Sequence, residues 1–293
     1  MEVFSQLLFN GVALGCLYAL IALGFALIFG TVHIFHLAHG AVYVWGGYIL
    51  WQTVIGWGLP LPIGIIATLA FCTLLGMGLE VGIYRPLRRR NAGHLIYLVA
   101  SLGLVYALQN IAALIWGFYN LRCREGLAVG SQVGNIVVTD VNIMSIGAAV
   151  VIFIALYFFL QRTKTGTAIR AIANNPSMAD TVGIDFNKTV LVTFAIGSGI
   201  AGVASIITGL DVGMTPYMGF DMVILATIAV LLGGVGSLTG AFLGGLFVGL
   251  MRCLIPLAFG TVWTEFAVFA VMIVVLVFRP RGFLGKKIWG AEI

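Results

Sequence analysis

Charge is scarce in this chain: Asp, Glu, Lys and Arg together supply 9% of 293 residues, while 61% are hydrophobic. Soluble domains carry about 25% charged residues, so a water-exposed globule is excluded for want of polar surface. No GxxxxGK[ST] phosphate loop occurs, so the chain has no ATP cradle of that type. HExxH, GxSxG and paired-carboxylate patterns are also missing, which argues against an intramembrane enzyme. The four cysteines (Cys16, Cys72, Cys123 and Cys253) are far apart and form no CxxC. Neither a metal site nor a disulfide framework is expected from them; three lie in apolar runs as small packing residues. Ten-residue segments of alternating polarity, the mark of a membrane β-barrel, are not seen. Met1-Glu2-Val3 lacks a basic n-region, so no cleavable signal peptide is expected. The net charge of +5 reads as the basic excess of loops on one side of a membrane, and no nucleic-acid partner is expected.

What the chain has in abundance is apolar runs near twenty residues long, the length that crosses a bilayer as a helix. They are drawn at 6–30, 38–58, 60–82, 94–117, 141–160, 189–210, 222–254 and 258–278. The 39 glycines suit such a protein, because small residues let membrane helices approach closely. The expectation is an all-α polytopic membrane protein: one domain over 1–293, about eight transmembrane helices, and broken or re-entrant elements.

Basic residues orient it. Arg85, Arg88, Arg89 and Arg90 form one cluster, Arg162, Lys164, Arg170 and Lys188 a second, and Arg279, Arg281, Lys286 and Lys287 a third. All three should face the cytoplasm. The N-terminus is then outside, residues 118–140 are outside and the C-terminus is inside. Arg122 and Arg124 in the outer loop run against the rule, partly offset by Glu125 and Asp140. Residues 222–254 are expected to cross once or as an equivalent broken element: two short helices joined at Gly233-Gly234-Val235-Gly236-Ser237.

Two stretches echo each other, one beginning at Gly11 and one at Ile196. Each has a Gly- and Ala-rich helix, a break (31–38 and 211–220) and a short apolar helix ending in a Gly pair. The orientation puts the breaks at opposite faces, so an inverted repeat is expected, with a translocation path near its broken helices.

The polar interruption "GTAIRAIANNPSMADTVGID", residues 166–185, reads as a cytoplasmic helix–turn–helix. Asn175 is a good N-cap and Pro176 a good first helical residue; Gly183 suits the left-handed position past the helix end. Pro176 to about Val182 is then a two-turn helix, too short to stand alone. Ile169, Ile172 and Ala173 form an apolar stripe on one side of the turn, Met178, Ala179 and Val182 on the other.

Ionisable groups in the spans are few. His39 begins the second helix and is a path candidate; His33 and His36 are placed at the inner interface. Asp221 is read as a helix cap, Glu265 as either a partner for Arg252 or a residue reaching the outer interface, and Glu80 as lying beside Arg85. A proton- or sodium-coupled carrier would carry mid-membrane carboxylates. The near-neutral interior suits a path driven from outside the bilayer and lined by small groups: Gly40, Ser101, Gln109, Asn110, Gly197, Ser198, Gly199, Gly233, Gly234, Gly236 and Ser237.

Three stretches, "FNGVALGCLYALIALGFALIFG", "LAHGAVYVWGGY" and the 166–185 segment leading to "GGVGSLTGAFLGG", resemble LivH-type permeases of branched-chain amino acid ABC importers. His36, where many relatives carry Asn, and Ala41, where an acidic residue or glycine often follows, depart from that pattern and bear on substrate identity. The resemblance implies that Arg170, Asn174, Asn175, Ala179, Gly183 and Ile184, with Pro176 and Met178 of the short helix, dock on an ATPase. It implies as partners a homologous second permease chain, two ATP-binding subunits, a soluble periplasmic substrate-binding protein and the lipid bilayer of a bacterial inner membrane. ATP and Mg would sit on the ATPase subunits, with no cofactor on this chain. A stand-alone channel or secondary carrier for a small neutral solute such as urea or an amide is the alternative.

Overall fold

The computed structural model describes residues 2–123, 130–134 and 136–285; Arg124, Glu125, Lys286 and Lys287 lie outside them. In chain order the helices are α1 (Glu2–Val32), α2 (His39–Trp51), α3 (Leu61–Leu79), α4 (Arg85–Arg89), α5 (His94–Trp116), α6 (Asp140–Arg162), α7 (Lys164–Asn174), α8 (Pro176–Thr181), α9 (Phe186–Asp211), α10 (Met218–Gly233), α11 (Leu238–Phe259) and α12 (Thr264–Phe278). π-helical turns extend α2 over Gln52–Gly56 and join α3 to α4 over Glu80–Tyr84. Seven helices among the described residues are long and apolar enough to cross a membrane, and α10 is a shorter apolar one. The fold is all-α and polytopic, as its hydropathy implies.

Two of the drawn spans take a more specific form in the structure. The 38–58 span is α2 and its π turn, and most of α2 is buried in the protein, so it is a core helix rather than a lipid-facing one. The 222–254 span is two helices joined at the glycine break, as the sequence implies, although the second runs 22 residues and is not short. Gly233 lies against Gly240 and Ala229 against Gly244, so α10 and α11 form an antiparallel hairpin.

Small residues set the packing. Gly11 and Gly15 of α1 meet Leu250 and Leu246 of α11, while Gly245 and Gly249 of α11 meet Ala19 and Gly15 of α1. Each helix thus presents a small-xxx-small face that brings the backbones together. On the other side, Gly76 and Cys72 of α3 meet Ser198 and Gly202 of α9. Between these pairs α1 crosses α9 at Gly24 and Gly197. Gly40 of α2 lies against Gly219 and Val223 of α10, and Val44 against Gly219, so α2 and α10 run antiparallel. The units α1–α2–α3 and α9–α10–α11 therefore share one packing plan with opposite direction, each broken over six residues, 33–38 and 212–217.

The outer loop holds a hairpin that hydropathy did not reveal: β1 (Gly130–Val133) pairs antiparallel with β2 (Ile136–Thr139). The signal was present in the β-branched run Ile136-Val137-Val138-Thr139 and in Gly134, whose φ is +63°, a turn conformation that glycine adopts freely. Thr139 then caps α6 by accepting from the Asn142 N–H.

Candidate coupling and translocation site

The polar interruption is built from local chemistry. Thr163 accepts from the Gly166 N–H and starts α7, whose Ile169 and Ile172 are buried. The Asn175 backbone is extended, which ends α7, and its Oδ1 accepts from the Met178 N–H at 3.0 Å, which starts α8 at Pro176. Gly183 has φ +82°, and its N–H bonds the Asp180 carbonyl while Ile184 N–H reaches the Ala179 carbonyl. This is the left-handed helix end that glycine permits. Asp185 then caps α9 through the Lys188 N–H at 3.0 Å; that bond, joined by the Lys188 ammonium, holds the Asp185 carboxyl below its usual range.

The turn divides its apolar residues. Ala179 is 3% exposed, but Met178 is 65% and Val182 70% exposed. Arg170, Asn174, Asn175, Pro176 and Gly183 are also exposed, and Ile184 is half-buried. Arg170 lies back along the protein and donates to Gln161 Oε1 at 3.2 Å.

The candidate path residues fall in two places. His39, Gly40 and Ser198 sit at the buried helix crossings: a Cβ on Gly24 would come within 2.9 Å of the His39 ring, and Ser198 fills the space beside Gly76. Ser101 and Gln109 are buried on α5; Ser101 Oγ accepts from the Ala38 N–H at 3.1 Å. Gly233 closes the α10–α11 hairpin, and Gly234 (φ +108°) lies against Leu284 and Gly285. Gly236 (φ +78°) has open space around its Cα. Ser237 caps α11 by accepting from the Gly240 N–H. A cavity of about 330 Å³ brings part of both sets together: Arg170 and Asn174 of α7 face Gly236 and Ser237 across it, with Thr31 and His33 at the end of α1.

Several placements depart from sequence expectation. His36 is fully buried rather than interfacial; its Nδ1 shares a 2.8 Å hydrogen bond with Tyr84 Oη. Tyr217 takes the cap position of α10, and Asp221 lies in its first turn. There its charge complements the helix dipole. Glu80 pairs with Arg88 rather than Arg85. Arg85 and Arg88 both donate to Asn187 Oδ1, at 3.2 and 3.4 Å. Helical neighbours lie three or four residues apart, so a partner eight residues on, or in another helix, carries no local signal. Of the two readings for Glu265, the structure shows the pairing with Arg252.

A family model described as a branched-chain amino acid transport system permease component matches residues 7–276. The chain is 32% identical to the high-affinity branched-chain amino acid transport system permease protein LivH of Escherichia coli K12, over 97% of this chain and 96% of that one. It is equally similar, with the same coverage, to the permease protein BraD of Pseudomonas aeruginosa. Among solved structures it is similar to a chain of PsaBC from Streptococcus pneumoniae, solved in complex with Fab. There the TM-score is 0.51 at 13% identity over 96% of this chain and 93% of that one, a likeness of fold. A polytopic helical body without a nucleotide loop, a capped polar turn between its two broken units and a match across nearly the whole chain lead to one assignment: this protein is a membrane permease component rather than an enzyme, and it belongs to the branched-chain amino acid transport permease family.

Proposed function

We propose that the chain is one permease subunit of an ATP-binding-cassette importer that moves branched-chain or related apolar amino acids across a bacterial inner membrane by alternating access. It works with a homologous second permease chain, two ATP-hydrolysing subunits that hold ATP and Mg, and a soluble substrate-binding protein outside. The names of the LivH and BraD relatives support the cargo. A relative named as the permease LivM in Methanocaldococcus jannaschii matches 48% of this chain, which supports a second, homologous permease.

The observation that carries the reading is the α7–α8 turn. A six-residue helix, capped at both ends, turns Met178 and Val182 outward while anchoring Ala179, Ile169 and Ile172 in the protein. Exposed apolar groups on a rigid mount are what a soluble motor domain can grip. In this reading Arg170, Asn174, Asn175, Pro176, Met178, Ala179, Gly183 and Ile184 form the docking element. The cavity between α7 and Gly236-Ser237 gives it room to move relative to the glycine break. His39, Gly40, Ser101, Gln109, Ser198, Gly233, Gly234, Gly236 and Ser237 belong to the path or to the crossings that shape it.

Co-purification tests this reading. The full chain expressed with its genomic neighbours should retain ATPase subunits, and deletion of 176–182 or Gly183→Trp should release them. Loss of transport with ATPase association intact would contradict the docking role. A cysteine label at position 130 should react from outside and one at position 175 from inside; the reverse pattern overturns the orientation.

A further inference from the structure

The five-residue π turn Glu80–Tyr84 bears a buried polar residue at each end, and neither is used by the function so far described. At one end, Glu80 is 1% exposed and ion-paired with Arg88. The Arg88 guanidinium also lies 5.0 Å from the ring centroid of Phe186 and shares Asn187 Oδ1 with Arg85. Phe186 and Asn187 are the first residues of α9, directly after the Asp185 cap that ends the α8 turn. At the other end, Tyr84 is wholly buried, bonded to His36 and packed with it against Phe194 of α9, with ring centroids 5.5 and 5.0 Å away. His36 belongs to the break between α1 and α2, and the same break is tied to α5 by the Ala38 N–H to Ser101.

The π turn and the α4 arginines that follow it therefore touch both the start of α9, where the α8 turn exits, and the first helix break. π turns inserted in α-helices are frequent at functional sites, and packed elements shift between discrete arrangements rather than deform smoothly. We infer that Glu80–Tyr84 is the strut that carries movement of α8 to the α1–α2 break: Asn187 and Arg88 receive it, Glu80 anchors it, and Tyr84 delivers it to His36. These are positioning residues. None needs to touch substrate or nucleotide. The inference rests on the ATP-driven reading above.

The test uses the whole complex, with its ATPase subunits and binding protein, in proteoliposomes, measuring leucine uptake and ATP hydrolysis in the same vesicles. Asn187→Ala removes the shared acceptor, and Asn187→Asp keeps it. The expected result is that Asn187→Ala retains its ATPase partners and hydrolyses ATP but moves at least tenfold less leucine per ATP, and that Asn187→Asp restores most of the ratio. Tyr84→Phe, at the far end, should lower the same ratio, and the double variant should be no worse than the poorer single one. An uptake-to-hydrolysis ratio within twofold of wild type in Asn187→Ala and Tyr84→Phe overturns the strut and leaves the importer reading standing. If Asn187→Ala fails to fold, as thermal unfolding in detergent would reveal, Tyr84→Phe decides alone. Wild-type complex that holds no ATPase subunit overturns both.

Discussion

At the first helix break, residues 33–38, side chains hold the chain in place: His36 is bonded to Tyr84, and the Ala38 N–H to Ser101. At the second, residues 212–217, the main chain does most of it, with exposed Asn120 adding one bond to the Val212 carbonyl. Met214 exchanges both backbone hydrogen bonds with Leu121, and Gly213 sits at φ +84° beside Asn120. The two units otherwise share a packing plan. Their ion pairs differ in the same sense: Glu80 with Arg88 is buried on the first unit, whereas Glu265, paired with Arg252 of the second, is more than half exposed. Buried side-chain bonds are costly to break and discrete in geometry, while a backbone bridge is indifferent to side-chain identity. The first break is thus suited to respond to its neighbours and the second to stay put.

The sharpest way to break the comparison is at the contact both units share. A Cβ on Gly40 would lie 2.1 Å from the Gly219 carbonyl oxygen, so Gly40→Val must force α2 and α10 apart. It should destabilise the protein by about 3 kcal/mol or more, read as lost monodisperse yield and a lower unfolding temperature in detergent. Gly78→Ala, with open space around it, serves as the neutral control. The next effect separates the breaks. Tyr84→Phe leaves the His36 ring nitrogen without its bond and should cost about 1–3 kcal/mol. Asn120→Ala removes one exposed bond to the Val212 carbonyl and should cost under about 1 kcal/mol. Equal losses would erase the distinction between the breaks. The smallest effect compares the ion pairs: Glu265→Gln should change stability by less than about 1 kcal/mol and less still in high salt. Glu80→Gln, which leaves Arg88 uncompensated, should cost clearly more in the same melt.

The α7–α8 turn was legible because its determinants are local. Asn175 caps, Pro176 starts and Gly183 stops a helix through contacts within a few residues, so α8 falls where those residues place it. The glycine break at 234–237 was legible for the same reason. Burial was not. His36 and His39 lie in one sequence pattern near a helix end, and nothing in it distinguishes an interface from a core; α3, α5 and α9 closing over the break decide that. The pairings of Glu80 with Arg88 and of Arg85 and Arg88 with Asn187 span a π turn and a second helix, beyond the reach of helical spacing. The small faces of α1 and α11 were visible as glycines four apart, but not which would meet.

By itself the sequence determined that this protein lives in a bilayer, roughly where its apolar helices fall, and that a capped polar turn separates two similar units. Those properties follow from hydropathy, charge and bonds between near neighbours. Tertiary structure decided which helices are core, which glycines touch and which buried charge meets which arginine. A contact between distant segments depends on how close two backbones can come, and that distance is set by every other helix in the bundle.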